Sequence, residues 1–190
     1  TTFQQCIDNG DVAFVSDAGS PGVSDPGAML VDYCRMHDIS VKCYPGASAV
    51  TAFISGCGVL MGTFYFGGFL PRKEGDLARL LQWVIDRKMI GIWFESPKRI
   101  LTTIKWLALM YPSMDVVLAK ELTKPYECYF RGTAKDVYAE LLTVDCRGEW
   151  VCLFNGETIT GKDNDITNFS FSKSDFSIEI TPLIDIVFLL

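Results

Sequence analysis

An alternation that runs from residue 64 to residue 155 constrains this chain most. Short runs rich in β-branched and aromatic residues ("FYFGGF", "MIGIWF", "DVVLAKEL", "ECYFRG" and "EWVCLF") are separated, except between the third and fourth, by stretches with apolar residues at helical spacing. In residues 77–87, Leu77, Leu80, Leu81 and Val84 fall on one helical face. Further helices are expected over about 99–110 and from a Thr133 cap through 142. Strands alternating with helices predict an α/β protein with a parallel or mixed sheet, its faces covered by helices.

Residues 12–55 carry the same signal more weakly. "VAFVS" (12–16) reads as a buried strand and "SVKCY" (40–44) as another. A helix is expected between them, capped by Asp25, opened by Pro26 and reaching about His37. A second, small-residue helix is expected from Ala47 to Ser55. "GCGVLMG" then puts three Gly in seven residues, the mark of an interdomain linker. Two small α/β domains with a cleft between them are therefore expected. Residues 1–57 would be the C-terminal part of an incomplete first domain, 58–63 the linker, and 64–156 the second domain. Residues 157–190 read as a polar tail that ends in a short apolar segment. The opening "TTFQQCIDNGD" resembles the end of a helix closed by Gly10, so the chain is expected to begin inside a domain.

Composition narrows the chemistry. Hydrophobic residues make up 49% of the chain and aromatics 13%, ample for a packed core. Seven Cys form no CxxC pair, which predicts reduced thiols, a cytoplasmic location and no structural zinc or other metal. The single His37 falls late in a helix and suits a surface or cap role. Net charge is −6, yet residues 64–140 carry 12 Lys/Arg against 9 Asp/Glu, and the segments on either side are acidic. An anionic partner would meet that basic middle third.

Ligands of open α/β sheets bind at the carboxyl ends of strands, in the loops that lead into helices. Four such loops carry more than turn chemistry. "SDAGSPGVSDPG" (16–27) has Gly19 and Gly22, whose missing Cβ lets backbone N–H groups approach a ligand. "PGASA" sets Ser48 at a helix start. "LPRKEG" pairs Arg72 with Lys73, and "ESPKR" follows Glu95 with Lys98 and Arg99. Cations on a first helical turn oppose the helix dipole, so Lys98 and Arg99 favour an anionic partner over stability. No dinucleotide fingerprint, P-loop or nucleophile elbow is present.

In order, "SDAGSPGVSDPG", "PGASAVTAFISGCG", "FGGFLPRKEG", "FESPKRI", "KELTKPYECYFRGT" and "GEWVCLF" resemble the ribosomal RNA small-subunit methyltransferase I family, within the tetrapyrrole (corrin/porphyrin) methylases. The resemblance spans about residues 3 to 156. It implies two α/β domains with S-adenosylmethionine in the cleft, methylation of a cytidine ribose 2′-hydroxyl in 16S rRNA, and a homodimer acting on the small ribosomal subunit. It places the cofactor on Asp17, Ala18, Gly19, Ser20 and Pro21, on Ser48 and Ala49, and near Ser96 and Arg131, Gly132 and Thr133. Arg72, Lys73, Lys98, Arg99 and Lys124 would face RNA phosphates. Glu95, Glu121 and Lys73 are equal candidates for the base that takes the hydroxyl proton. Three departures stand out: the family's N-terminal strand and "TPIGN" loop are absent, Lys98 replaces the His of "ESPHR", and Cys128 replaces the second Glu of "KxxEE". A tetrapyrrole C-methyltransferase and an inactive remnant remain alternatives. "IEITPLIDIVFLL" (178–190) resembles the start of the membrane helix of ExbD/TolR transport proteins, too short here to give the chain a membrane partner.

Overall fold

The computed structural model describes residues 3–8, 10–17 and 19–157. Five strands form one sheet: β1 (Tyr65–Phe69), β2 (Ile90–Glu95), β3 (Asp115–Lys120), β4 (Cys128–Thr133) and β5 (Trp150–Asn155). Their order across the sheet is β1-β2-β5-β3-β4. β1 and β2 are parallel, and the other three pairings are antiparallel. β5 is therefore central, and each of its six residues is buried. That explains why "WVCLFN" reads as a continuous apolar run rather than an alternating one.

Helices α4 (Glu74–Asp86), α5 (Ile100–Met110) and α6 (Ala134–Leu141) cover one face. Leu77, Leu81 and Val84 of α4 pack there with Ile100, Ile104 and Leu107 of α5, on Trp93, Leu118 and Phe154 of the sheet. The Trp93 indole lies over Gly91 of its own strand and Gly67 of β1, where any Cβ would overlap the ring. On the opposite face α3 (Ala49–Gly56) sets Phe53, wholly buried, against Ile92, Val117, Val151 and Leu153. Burying that side chain contributes roughly 1.5 to 3 kcal/mol. α3 is held at its end as well: Phe53 stacks on Tyr129, and Arg131 Nη1 donates to the Gly58 carbonyl at 3.0 Å.

The elements expected from residue 64 onward are present, with ends within a few residues of their patterns. The N-terminal expectations fare differently. Residues 12–16 and 40–44 form no strand, and Val12, Phe14, Val15, Val41 and Tyr44 are exposed rather than buried. A strand needs ladder partners for its N–H and C=O groups, and neither segment pairs with a strand among the described residues. The helix expected from Pro26 starts two residues later, as α2 (Ala28–Met36), behind α1 (Phe3–Asp8). Its N-cap is Gly27 with no side-chain cap, so Asp25 does not cap it. Lys98 and Arg99 likewise precede α5 in a turn closed by Arg99 N–H to Ser96 C=O, instead of lying on its first turn. His37 does sit as the C-cap of α2, stacked on Tyr33. Of the cysteines, Cys34, Cys57 and Cys152 are buried while Cys6 and Cys43 are exposed, and all are free thiols. The tail expected over 157–190 lies, beyond Glu157, outside the described residues.

Candidate functional site

Strand direction decides which loops meet. β1, β2 and β3 all run the same way, because β5 opposes both β2 and β3. Glu95 at the end of β2 and Lys120 at the end of β3 each pair with Trp150. One end of the sheet thus gathers the loops after β1, β2 and β3, with Arg72, Lys73, Lys98, Arg99 and Lys124 among their residues. An open pocket of about 480 Å³ lies there, lined by Phe69, Leu70, Arg72, Ser96, Lys98 and Arg99.

Glu95 anchors this end from below. Its side chain is buried, and three donors converge on the carboxylate: Ser96 N–H at 2.7 Å, Thr103 Oγ1 at 2.9 Å and Arg99 Nη2 at 3.1 Å. Arg99 also donates to the Leu70 carbonyl at 3.2 Å and the Pro71 carbonyl at 2.7 Å. The guanidinium therefore clamps the loop after β1 to the loop after β2. Its charge is met by a buried carboxylate, whereas Arg72, Lys73 and Lys98 make no ion pair among the described residues. Burial pushes the Cys152 thiol well up, and the nearby Glu95 charge adds to the shift.

The loop after β3 is built differently. Glu121 and Thr123 have φ of 53° and 65°, uncommon for side-chain-bearing residues. Glu121 Oε1 accepts from Glu149 N–H at 2.8 Å and from Lys124 Nζ at 3.2 Å, and Lys124 also pairs with Glu149 at 3.1 Å. The Glu149 backbone bond, with Lys124 behind it, lowers the Glu121 pKa. The bond to Glu149 and then that to Glu121 raise the Lys124 pKa. Of the five cations expected to face phosphates, Lys124 thus sits between two carboxylates and Arg99 on one.

The Gly-rich loop reaches the same neighbourhood. Gly19 (φ 74°) and Gly22 (φ 85°) hold its turns, and Ser16 Oγ donates to the Gly19 carbonyl at 2.8 Å. A Cβ on Gly19 would lie 3.8 Å from the Ala47 carbonyl, so this loop and "PGASA" are adjacent. Ser48 is the N-cap of α3, accepting from Thr51 N–H, and Ala49 opens the helix. Asp17 and Pro21 are exposed and Ser20 half-buried, while Ala18 lies outside the described residues. The far side of the loop meets β1: Ser24 Oγ lies 3.2 Å from where Gly68 would carry a Cβ. Arg131, Gly132 and Thr133 are elsewhere. They close β4 toward the opposite end of the sheet, where Thr133 pairs with Asp115. Arg131 holds the Gly58 carbonyl just after α3, and Thr133 caps α6 by accepting from Asp136 N–H at 3.2 Å. Sequence reasoning passed over Phe69, which lines the pocket at 57% exposure; the doubled Gly before it was the available signal.

The profile described as Tetrapyrrole (Corrin/Porphyrin) Methylases matches residues 2–138. The chain belongs to this family. Solved tetrapyrrole-methylase-like structures agree with it on fold. A diphthine synthase superposes with a TM-score of 0.57 at 10% identity, covering 72% of this chain and 57% of its own. The methyltransferase CobJ gives 0.52 at 17% identity, covering 72% and 62%. Closer in sequence are proteins named ribosomal RNA small subunit methyltransferase I. That of Helicobacter pylori (strain ATCC 700392 / 26695) is 35% identical over 153 residues, 77% of this chain and 53% of the relative. That of Hydrogenobaculum sp. (strain Y04AAS1) is 42% identical over 131 residues, 69% and 56%. This methylase chain therefore spans about half the length of such relatives. The comparisons lend the transport-protein resemblance of residues 178–190 no support.

Proposed function

We propose that the chain is part of an S-adenosylmethionine-dependent methyltransferase that modifies a cytidine ribose 2′-hydroxyl of 16S rRNA. The observation that carries this reading is the meeting of a Gly-rich loop with a cationic strand-end pocket, through Ser24 and the Gly68–Phe69 step. The names of the sequence relatives point the same way. The residues present fit such a cofactor: Gly19 and Gly22 hold positive φ and carry no Cβ there, and the turn lies against the "PGASA" loop. The cofactor, when bound, supplies an electrophilic methyl group. Asp17–Pro21, Ser48 and Ala49 would hold it. Arg72, Lys73 and Lys98, free of ion pairs among the described residues, would hold the RNA backbone and fix the ribose for attack. Lys73, Glu95 and Glu121 stay the candidates for the proton acceptor. Glu95 and Glu121 would each have to give up bonds to the protein, whereas Lys73 makes no ion pair among the described residues but, as an ammonium, would first have to lose a proton and its hold on phosphate.

All five strands come from residues 65–155, which supports placing the domain boundary at 58–63. Exposed apolar side chains such as Val15, Met29 and Leu60 support a homodimer. No helix among the described residues is long and apolar enough to cross a membrane, and we place the protein in the cytoplasm with its ribosomal substrate. Calorimetric titration of S-adenosylmethionine, paired with nucleoside mapping of methylated small subunits, tests the reading. Micromolar binding and 2′-O-methylcytidine are expected; methyl on a base, or on a precorrin carbon, would overturn it.

A further inference from the structure

β1 breaks the alternation of a strand at one place. Tyr65 and Gly67 lie against Trp93, on the face covered by α4, α5 and α6. Strict period two would send Phe69 to that face too. Instead Phe69 packs on Phe94 with a ring separation of 5.7 Å, beside Phe66 at 5.1 Å, and Phe94 belongs to the opposite face. The register shows the device. Phe66 pairs with Ile92 and Phe69 with Phe94, so β1 carries one extra residue, and Gly68 in that step has φ of 66°. A bulge of this kind re-aims a side chain and is frequent beside functional sites. The side chain re-aimed here is Phe69, the exposed aromatic of the pocket.

We infer that this pocket holds one unpaired RNA nucleotide, its base stacked on Phe69 and its flanking phosphates met by Arg72 and Lys98. The inference rests on the RNA-substrate reading and names the form of RNA it takes. Leu70, almost fully buried, gives an apolar floor. Arg99 is committed to Glu95, Leu70 and Pro71, so it fixes the pocket's shape. Arg72 and Lys98 supply the uncompensated charge. A volume of about 480 Å³ suits a small ligand. An aromatic face next to two cations is how single-stranded nucleic acid is gripped. Inside a duplex both faces of a base are covered by its stacked neighbours, so a duplex offers Phe69 no face to stack on.

The test uses the full chain and an RNA of about six nucleotides carrying one 2-aminopurine, single-stranded or annealed to its complement. Binding should quench the fluorescence of the single strand, and the duplex should bind more weakly. Phe69→Ala and Phe69→Leu should abolish the quench and weaken binding by about 5- to 100-fold. Phe69→Tyr should retain both, which separates stacking from loss of fold. Lys98→Ala should keep the quench at saturation while lowering the log–log salt slope by roughly 0.7. RNA that binds wild type and Phe69→Ala alike, or without quenching, overturns the stacking subsite and leaves the RNA reading standing. Absence of any RNA binding by wild type, or Phe69-dependent binding of a porphyrin in its place, overturns both.

Discussion

Glu95→Gln separates the structural from the catalytic use of a buried carboxylate. In the wild type its two oxygens receive three donors from Ser96, Thr103 and Arg99. Gln offers one acceptor oxygen and turns its amide donors toward whichever partner remains. If the oxygen stays on Ser96 N–H, Thr103 can rotate to accept, and Arg99 loses its anion. Loss of a hydrogen bond to a charged group costs about 1.5 to 3 kcal/mol. Arg99 is 28% exposed in its side chain and can recover some hydration, which keeps the total below the 3 to 5 kcal/mol of a fully buried broken pair. A destabilisation of about 2 kcal/mol is expected in urea unfolding monitored by Trp fluorescence. The loop at Leu70 and Pro71 should loosen with it, because Arg99 holds both carbonyls. Unchanged stability with methyl transfer abolished would refute this structural role and single out Glu95 among the candidate proton acceptors.

Four further outcomes follow from the structure. Arg147 bonds hold the Asp145 pKa down from 3.8 to about 2. The stability this contributes is present above pH 4 and lost as the pH falls through about 2. NMR titration of Arg147→Ala, which keeps the backbone N–H bond of residue 147, should raise the midpoint part of the way toward 3.8, and an unmoved midpoint would exclude the guanidinium as the main cause. Gly19→Val places a β-branched residue at φ 74° beside Ala47, so cofactor affinity measured by calorimetry should drop at least about tenfold. Asp25→Ala, without a cap to lose, should cost under about 0.5 kcal/mol in a thermal melt; a loss nearer 2 kcal/mol would mean that Asp25 does cap α2. Arg72→Ala with Lys73→Ala should lower the salt slope of RNA binding by about 0.7 to 0.9 per lost phosphate contact. An unchanged slope would make both residues ordinary surface charges.

The sheet was legible because each of its strands carries its own signal and pairs with strands from the same stretch of sequence. Continuous apolar runs at β2, β3 and β5 announce burial on both faces, and Leu77, Leu81 and Val84 mark the buried stripe of α4. Residues 12–16 and 40–44 carry the same β-rich pattern but form no strand, since composition cannot supply a ladder partner. At the site, the cations were visible, but their partners were not. That Arg99 sits on buried Glu95, and Lys124 between Glu121 and Glu149, depends on contacts that single positions do not encode. Register mattered equally: the "RGT" at 131–133 reads like part of the cluster, yet β4 carries it toward the other end of the sheet. Phe69 escaped notice because a period-two reading hides it in the core, and only the extra residue at Gly68 turns it outward.

The most direct measurement is transfer of a labelled methyl group from S-adenosylmethionine to small ribosomal subunits, followed by digestion of the RNA to nucleosides. The account predicts label in 2′-O-methylcytidine from 16S rRNA, reduced by Phe69→Ala and by Gly19→Val. Label on a nucleobase, or transfer to a tetrapyrrole with none to RNA, would contradict it.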